Sequence, residues 1–379
     1  MQWKIPLSDI DFGLEERAAV DNVLQSRWLT MGSVTEEFEQ AFAAYVGAKY
    51  AVAVTNATAA LHLACVAAGL GVGDEAIVPS LTFVATANAV RYTGATPVFA
   101  DIAGEQDLNI SYHSIEKVIN ERTRAILVMH YGGYACDMPS IMELARERGL
   151  KVIEDAAHAV GSELGGIKLG LWGDIGCYSF FSNKNMTTGE GGMITTNNEA
   201  YLQRLHLLRS HGMTSLTWDR HKGHAWSYDV VDLGYNYRID EIRAALGKVQ
   251  LGKLEANNER RRRLTQIYRD ALQELTPHVV VPFENHAGIS AAHLMPVLLP
   301  AGTNRQSFME SMKLQGIQTS IHYPPIHMFT AYNDGRAKYS LPNTEEIAGR
   351  ELTLPLYPAM SSADVFTVVK AIAHALIPA

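Results

Sequence analysis

From about residue 50 the chain alternates short apolar runs with helix-length segments. Residues 50–54, 76–79, 96–100, 124–130 and 150–154 have the length and β-branched content of buried strands. Residues 57–70, 84–92 and 138–148 are of helical length, and two short helices are expected ahead of them over 14–25 and 35–45. Short strands alternating with helices predict an α/β fold built on a largely parallel, buried sheet. Residues 177–181 and 192–196 read as two further strands close in sequence, a hairpin-like addition.

Beyond residue 200 the texture changes. Residues 238–275 form a long, helical, charged stretch suited to connecting two domains. Strand-like 293–299, helix-like 305–315 and a closing helix from 362 follow. The expected division is a large α/β domain over 1–250 and a smaller α+β domain over 251–379. The sequence has no internal repeat and no low-complexity tract.

Composition narrows the function classes. The 379 residues are 47% hydrophobic and 19% charged, ordinary for a soluble globular protein. The formal net charge of −8 has no compensating basic face, which argues against a nucleic-acid partner. Arg260 to Arg263 is a short basic run in a helical stretch and reads as a solvated helix face. Three cysteines (Cys65, Cys136 and Cys177) without CxxC spacing speak against a disulfide framework and for a reducing cytoplasm. The N-terminus lacks a signal pattern, and the apolar-leaning stretch 51–73 is broken by Thr55, Asn56, Thr58 and His62, so no membrane span is expected.

Chemistry is sought first where apolar strands end, because parallel α/β sheets bind ligands at the carboxyl ends of their strands. One strand ends Lys151-Val152-Ile153-Glu154-Asp155 and runs into Ala156-Ala157-His158. A second ends Cys177-Tyr178-Ser179-Phe180-Phe181-Ser182-Asn183-Lys184 and is followed by Gly189-Glu190-Gly191-Gly192. An acid and a lysine so placed suit pyridoxal phosphate: the amine forms a Schiff base, and the carboxylate keeps the pyridine nitrogen protonated. An Asp155 helix cap with a simple ion pair to Lys184 accounts for the same spacing. A third segment, Asn56-Ala57-Thr58-Ala59-Ala60, runs from strand to helix, where free amides and the Thr58 hydroxyl suit a phosphate; an Asn56 N-cap with no ligand is the plain reading. Gly69-Leu70-Gly71-Val72-Gly73 closes a helix instead of opening one, so it is a terminator and not a dinucleotide loop. His221-Lys222-Gly223-His224 lacks the partners of a metal site and reads as a surface loop near substrate. His62 and His206 read as packing residues.

Taken together, these segments resemble the DegT/DnrJ/EryC1/StrS family of sugar aminotransferases. The matching pieces also include Trp28-Leu29-Thr30-Met31-Gly32, Pro79-Ser80-Leu81-Thr82-Phe83, Glu154 through Ala159, and Gly234-Tyr235-Asn236-Tyr237-Arg238. The resemblance implies the aspartate-aminotransferase-like (fold type I) architecture and a homodimer with shared active sites. It implies pyridoxal 5'-phosphate (PLP, cycling with PMP) on Lys184, which also carries the proton, and Asp155 at the pyridine nitrogen. It implies Phe83 stacked on the ring and His158 near the cofactor hydroxyl, a variant that suggests amination at the sugar 4-position. Phosphate would be held by Ala57, Thr58, Ser179 and Asn236 of the partner subunit. Thr30, Arg238, His322, Tyr323 and His327 are the expected substrate contacts.

The expected reaction is a ping-pong transamination from an amino acid, L-glutamate in similar enzymes, to a nucleotide-linked 4-keto-6-deoxy sugar. Three alternatives share the scaffold. A cyclitol-type ketone would change only the Arg238 and His322 region. A sugar dehydratase would want a histidine where Lys184 stands. A non-catalytic binding protein would have no need of Lys184, Asp155 and Thr58 together.

Overall fold

A computed structural model describes residues 3–215, 218, 223, 227–333 and 339–376. The His221–His224 segment, Gly223 apart, lies outside the described residues.

Two helices open the chain, α1 (Leu14–Ser26) and α2 (Ser33–Val46). The α/β alternation then runs β1 (Tyr50–Val54), α3 (Ala57–Ala67), β2 (Glu75–Pro79), α4 (Ala85–Tyr92) and β3 (Thr96–Ala100). A small antiparallel pair, β4 (Ile102–Gly104) and β5 (Asp107–Ile110), and a short helix α5 (Tyr112–Val118) precede β6 (Thr123–Met129), α6 (Met138–Arg148) and β7 (Lys151–Asp155). A second small pair, β8 (Glu163–Leu164) and β9 (Ile167–Lys168), leads to β10 (Ile175–Ser179), β11 (Gly192–Thr196) and α7 (Glu199–Arg209).

The main sheet has seven strands in the order β1-β11-β10-β7-β6-β2-β3. The pairs from β10 through β7, β6 and β2 to β3 are parallel, whereas β11 is antiparallel to both of its neighbours. Six strands therefore point one way, and the hairpin-like addition is the single reversal. Because the sheet is covered on both faces, its strands are apolar runs and not alternating ones. α3 packs across it as a nearly all-round apolar helix, with Leu61, Leu63, Ala64 and Cys65 fully buried. Gly69 and Gly73 follow it at positive φ, in keeping with a helix terminator. All three cysteines are buried and free.

A 35-residue helix, α8 (Glu241–Leu275), leaves the sheet region at about 1.5 Å per residue. Its first half packs on α1 and α2 and its second half on the last helix. The remaining elements are β12 (Met295–Leu298), α9 (Arg305–Leu314), α10 (Pro342–Arg350), β13 (Glu351–Leu354) and α11 (Ser362–Ala375), with β12 and β13 antiparallel. They enclose a second core of Tyr268, Val297, Leu352, Leu354, Val365 and Val368. Ile5 also belongs to this second core and bridges to Ile317, so the chain's start reaches across the expected 1–250 division. Arg261 departs from the solvated-face expectation as well. It is 2% exposed, and its guanidinium donates to the Leu356 carbonyl at 2.8 Å, while Arg260 and Arg263 of the same run stay exposed. Only one in about every 3.6 positions of a helix faces a given neighbour, so a run of four must turn one member inward.

The N-terminus of α2 has no cap of its own, since residue Gly32 carries no side chain. Glu241 supplies one from a distance: its carboxylate accepts from the amides of Gly32 (2.8 Å), Val34 (2.9 Å) and Thr35 (2.9 Å) and from the Thr35 hydroxyl (2.6 Å). The Glu241 amide returns a bond to the Leu29 carbonyl. The Trp28–Gly32 turn is thereby tied to the start of α8. Replacing Glu241 by alanine leaves several buried donors unmet and should lower stability by about 3 kcal/mol in chemical denaturation, with Glu241→Gln costing less.

Candidate active site

Because six strands are co-directional, their carboxyl ends share one edge, and a cavity of about 410 Å³ opens there. Its lining includes Ala57, Thr58, Phe83, Asp155, His158, Ser179, Lys184, Glu190, His322 and Tyr323. Segments separated by more than 260 residues in sequence thus meet at the ends of β1, β7 and β10 and at the 321–323 loop.

Pleat alternation divides the two acids that end β7. Glu154 points away from the cavity and is used up internally: it accepts from the amides of Gly170 (2.7 Å) and Gly173 (2.6 Å) and pairs with His130 at 2.9 Å. Asp155 points into the cavity and is 3% exposed. Its carboxylate accepts from the Thr86 hydroxyl at 2.7 Å and the Ala157 amide at 3.1 Å. Among the described residues no ion pair neutralises it, and desolvation holds its pKa above the usual carboxylate range. No helix begins after β7, so Asp155 is not a helix cap. A buried carboxylate without an ion-pair contact fits a protonated pyridine nitrogen.

At the opposite wall, Asn56 Oδ1 caps α3 by accepting from the Ala59 amide at 2.8 Å. The first-turn amides of Ala57 and Thr58 have no intrahelical acceptor, by helix geometry, and both residues line the cavity. Gly192 is pressed against this turn, since a Cβ there would sit 2.6 Å from the Asn56 carbonyl carbon. Gly192 is thereby explained, because β11 must approach the end of β1 closely, whereas a Cβ at Gly191 would collide with the Thr188 hydroxyl and the Phe180 side chain. A compact anion placed against this helix end fits the phosphate of PLP. Ser179, 5% exposed, closes β10 beside it.

Lys184 lies between these walls. Burial lowers its pKa from 10.5 to about 8, with the Asp155 charge opposing part of the shift. Three imidazoles surround the amine, and all three are held below their ordinary pKa by burial first and then by Lys184. His158 Nδ1 accepts from the Gly132 amide at 3.3 Å, so in the neutral ring Nε2 carries the proton and donates to the Tyr323 hydroxyl at 2.9 Å. Tyr323 can then turn its own proton into the cavity. His322 Nδ1 lies 2.8 Å from Thr353 Oγ1, which donates to the buried Glu351 carboxylate at 2.7 Å. His322 therefore keeps its Nε2 lone pair. His293 Nε2 stands 3.5 Å from Lys184 Nζ. Sequence reading missed His293: it opens an apolar, strand-like stretch, and its partner Asn185 lies 108 positions away.

Four expected residues lie off the cavity wall of this chain. Thr30 is exposed on the turn tied to Glu241. Asn236 bridges to Ser210, and Arg238 bridges to Val54 beside the end of β1. His327 is 8% exposed and sits behind the cavity, with Nδ1 2.6 Å from Ser80 Oγ and Nε2 3.3 Å from Glu345. Its ring packs near Phe99, which is the position of a satisfied interior histidine. Phe83 is 55% exposed at the cavity mouth, its ring centroid 5.9 Å from that of Tyr323.

The sequence model of the DegT/DnrJ/EryC1/StrS aminotransferase family matches residues 11–373. The chain is 40% identical over 379 residues to the spore coat polysaccharide biosynthesis protein SpsC of Bacillus subtilis, covering 98% of this chain and 96% of that one. It superposes on PseC of Helicobacter pylori, an aminotransferase of pseudoaminic acid biosynthesis, with a TM-score of 0.91, 29% identity and 99% coverage of both chains. It superposes on DesI, solved in the presence of its TDP-sugar product, with a TM-score of 0.87, 31% identity and coverage of 98% of this chain and 92% of that one. Other structural neighbours have been solved in PLP and PMP forms.

An amine kept partly neutral by burial costs stability. In the cofactor-free protein the folded state holds fewer protons than the unfolded state between pH 8 and 10.5, so stability rises with pH across that window. Lys184→Met should therefore stabilise the cofactor-free protein at pH 7 by about 2 kcal/mol, allowing for solvent that reaches the amine through the cavity. Paired thermal melts of the two proteins should show the gain shrinking to nothing above pH 10.5.

Proposed function

The chain belongs to the DegT/DnrJ/EryC1/StrS aminotransferase family of PLP-dependent sugar aminotransferases, and we propose that it carries an amino group from L-glutamate to a nucleotide-linked 4-keto-6-deoxyhexose. The observation that carries this reading is the triangle of Lys184, Asp155 and the Ala57–Thr58 helix end around one cavity. When bound, PLP supplies an aldehyde carbon for the amine and a cationic ring that withdraws electrons.

The rest of the work falls to this chain's own side chains. Asp155, held by Thr86 and Ala157, stabilises positive charge at the ring nitrogen. The Ala57 and Thr58 amides, with Ser179, hold the phosphate, and Phe83 covers a ring face from the mouth. Lys184, with its pKa near 8, has a substantial neutral fraction near pH 8 and can take a proton from one carbon and return it to another. His158 and Tyr323 form a hydrogen-bonded wall on the hydroxyl side. His322 offers an acceptor to a sugar hydroxyl. The TDP-sugar product of DesI supports a nucleotide-linked substrate. Arg238 is the residue we assign to its diphosphate.

The same reading makes the enzyme a homodimer. Val230, Val231 and Leu233 are 55–80% exposed on the segment leading to Asn236 and Arg238, and Phe181 is 45% exposed at the cavity mouth. A second copy over this face would cover the apolar residues and bring Asn236 of the partner subunit to the phosphate end. Among the described residues no helix is long and apolar enough to cross a membrane, and three free thiols suit a reducing cytoplasm.

The test is spectroscopic. Purified protein should show a visible cofactor band that L-glutamate converts to the ultraviolet band of PMP, and a nucleotide-linked 4-keto-6-deoxy sugar should restore it. Lys184→Ala should abolish the lysine-linked band and lower turnover by at least about 1,000-fold, as expected for loss of the group that forms the covalent link and moves the proton. A cyclitol ketone that restores the band while nucleotide sugars do not would move the assignment to the non-nucleotide class.

A further inference from the structure

Lys184 is approached from the side of the second core by a group that transamination, as described above, does not employ. His293 follows Ala292, which has a positive φ of 47°, and is 5% exposed. Its Nδ1 lies 2.8 Å from Asn185 Oδ1. The identity of that oxygen is fixed by the other end of the amide: Asn185 Nδ2 donates to Asn258 Oδ1 at 2.7 Å and to the Ala291 carbonyl at 2.8 Å, which uses both of its protons. Asn258 is fixed in turn, because its own Nδ2 donates to the Val160 carbonyl at 2.9 Å. Oδ1 of Asn185 can only accept, so His293 Nδ1 must donate. In the neutral imidazole the remaining nitrogen, Nε2, then presents a lone pair, and this is the atom facing Lys184 Nζ at 3.5 Å.

The ring is kept neutral by its surroundings. It is buried, Lys184 and His158 lie beside it, and the Arg261 guanidinium reaches its backbone carbonyl at 3.5 Å. A proton on His293 would meet positive charge and a desolvated interior, with no carboxylate in contact among the described residues. Each link in the chain from α8 through Asn258, Asn185 and His293 therefore has a single donor–acceptor assignment, and its terminus is an acceptor aimed at the lysine nitrogen.

We propose that His293 is a positioning residue for Lys184, accepting a hydrogen bond from its amine whenever that nitrogen is not bonded to cofactor and so fixing the direction of the amine. The proposal rests on Lys184 being the cofactor lysine. During a cycle the freed amine has to swing between proton transfer and recapture of the cofactor. An acceptor on a rigid mount limits that swing to one arc. The same bond stabilises the ammonium more than the free amine, so it raises the lysine pKa against the lowering caused by burial.

The experiment reads the free lysine directly and not turnover. Cofactor is stripped with hydroxylamine, PLP is added back, and the rate at which the lysine-linked band appears is followed against pH. The midpoint of that profile reports the amine of the cofactor-free protein. His293→Phe keeps a ring and loses the acceptor, so the midpoint should fall by about one unit. His293→Gln, which returns an oxygen near the Nε2 position, should restore the unsubstituted midpoint. Asn185→Leu leaves His293 in place but frees its tautomer, and should give a smaller fall. Asp155, His158, His322, Tyr323 and Glu190, the other titratable groups around the cavity, are common to all variants.

An unchanged midpoint in a His293→Phe protein with native near-ultraviolet dichroism overturns the proposal. So does a folded His293→Gln protein that behaves like the Phe variant, since that would make the role one of packing. If the Phe variant does not fold, an unchanged midpoint in Asn185→Leu overturns it. Failure of the unsubstituted protein to form any band would instead remove Lys184 as the cofactor residue, and the proposal with it.

Discussion

The parallel pairing of β7 with β10 is the constraint on which the site depends. Its register sets Cys177 opposite Asp155, and the Ala156 amide continues the ladder to the Cys177 carbonyl at 2.8 Å. Asp155 and the segment that delivers Lys184 therefore leave the sheet side by side. A slip of one residue would exchange Asp155 with Glu154, sending the wrong acid into the cavity and stranding the other among the amides of Gly170 and Gly173. Both strands are buried on both faces, so hydrophobic alternation does not hold the register; the bonds of Glu154 to the Gly170 and Gly173 amides and to His130, made only in this register, resist the slip. Polar partners behind the sheet thus select the acid that enters the cavity.

Around that pair the protein keeps several groups away from the protonation state that water would give them. Lys184 is held towards the amine, three imidazoles are held neutral, and Asp155 is desolvated, with the Lys184 charge offsetting only part of the rise in its pKa. None of these is a favourable burial taken singly. They are tolerated because each has a hydrogen-bond partner on a rigid element: Thr86 on α4, Gly132 before α6, Thr353 on β13, and Asn185 backed by α8. Such clusters of perturbed groups in one cavity are characteristic of chemistry and not of packing.

Much of this was readable in the sequence because it lies in local patterns. Apolar runs marked the strands, and the polar residues directly after them marked Asp155, Ser179 and Lys184. Asn56 with the small residues after it marked the helix end. What was not readable depends on partners far away in the chain. Nothing around His293 signals that residue 185 will meet it. Nothing in a run of four arginines says that Arg261 is the one turned inward, because the carbonyl it reaches belongs to Leu356. His327 sits in the same short segment as two cavity residues, but the 3₁₀ turn Ile326–Met328 carries it behind the wall to Ser80. Proximity in sequence misled there for the same reason that distance in sequence hid His293.

The 35-residue helix has a consequence for how the protein can be divided. Composition suggests a cut near residue 250, where sheet-type texture gives way to the mixed C-terminal part. Yet Asn258 and Arg261 lie beyond that point, one fixing Asn185 and the other reaching His293 and the Leu356 carbonyl. A fragment ended at the apparent boundary would retain the whole sheet, Asp155 and the Ala57–Thr58 helix end, and still lack His293, Asn258 and the cavity residues His322 and Tyr323. The two cores are thus distinct as packed bodies but not as heritable modules: recombination at that seam would pass on one wall of the cavity without the other.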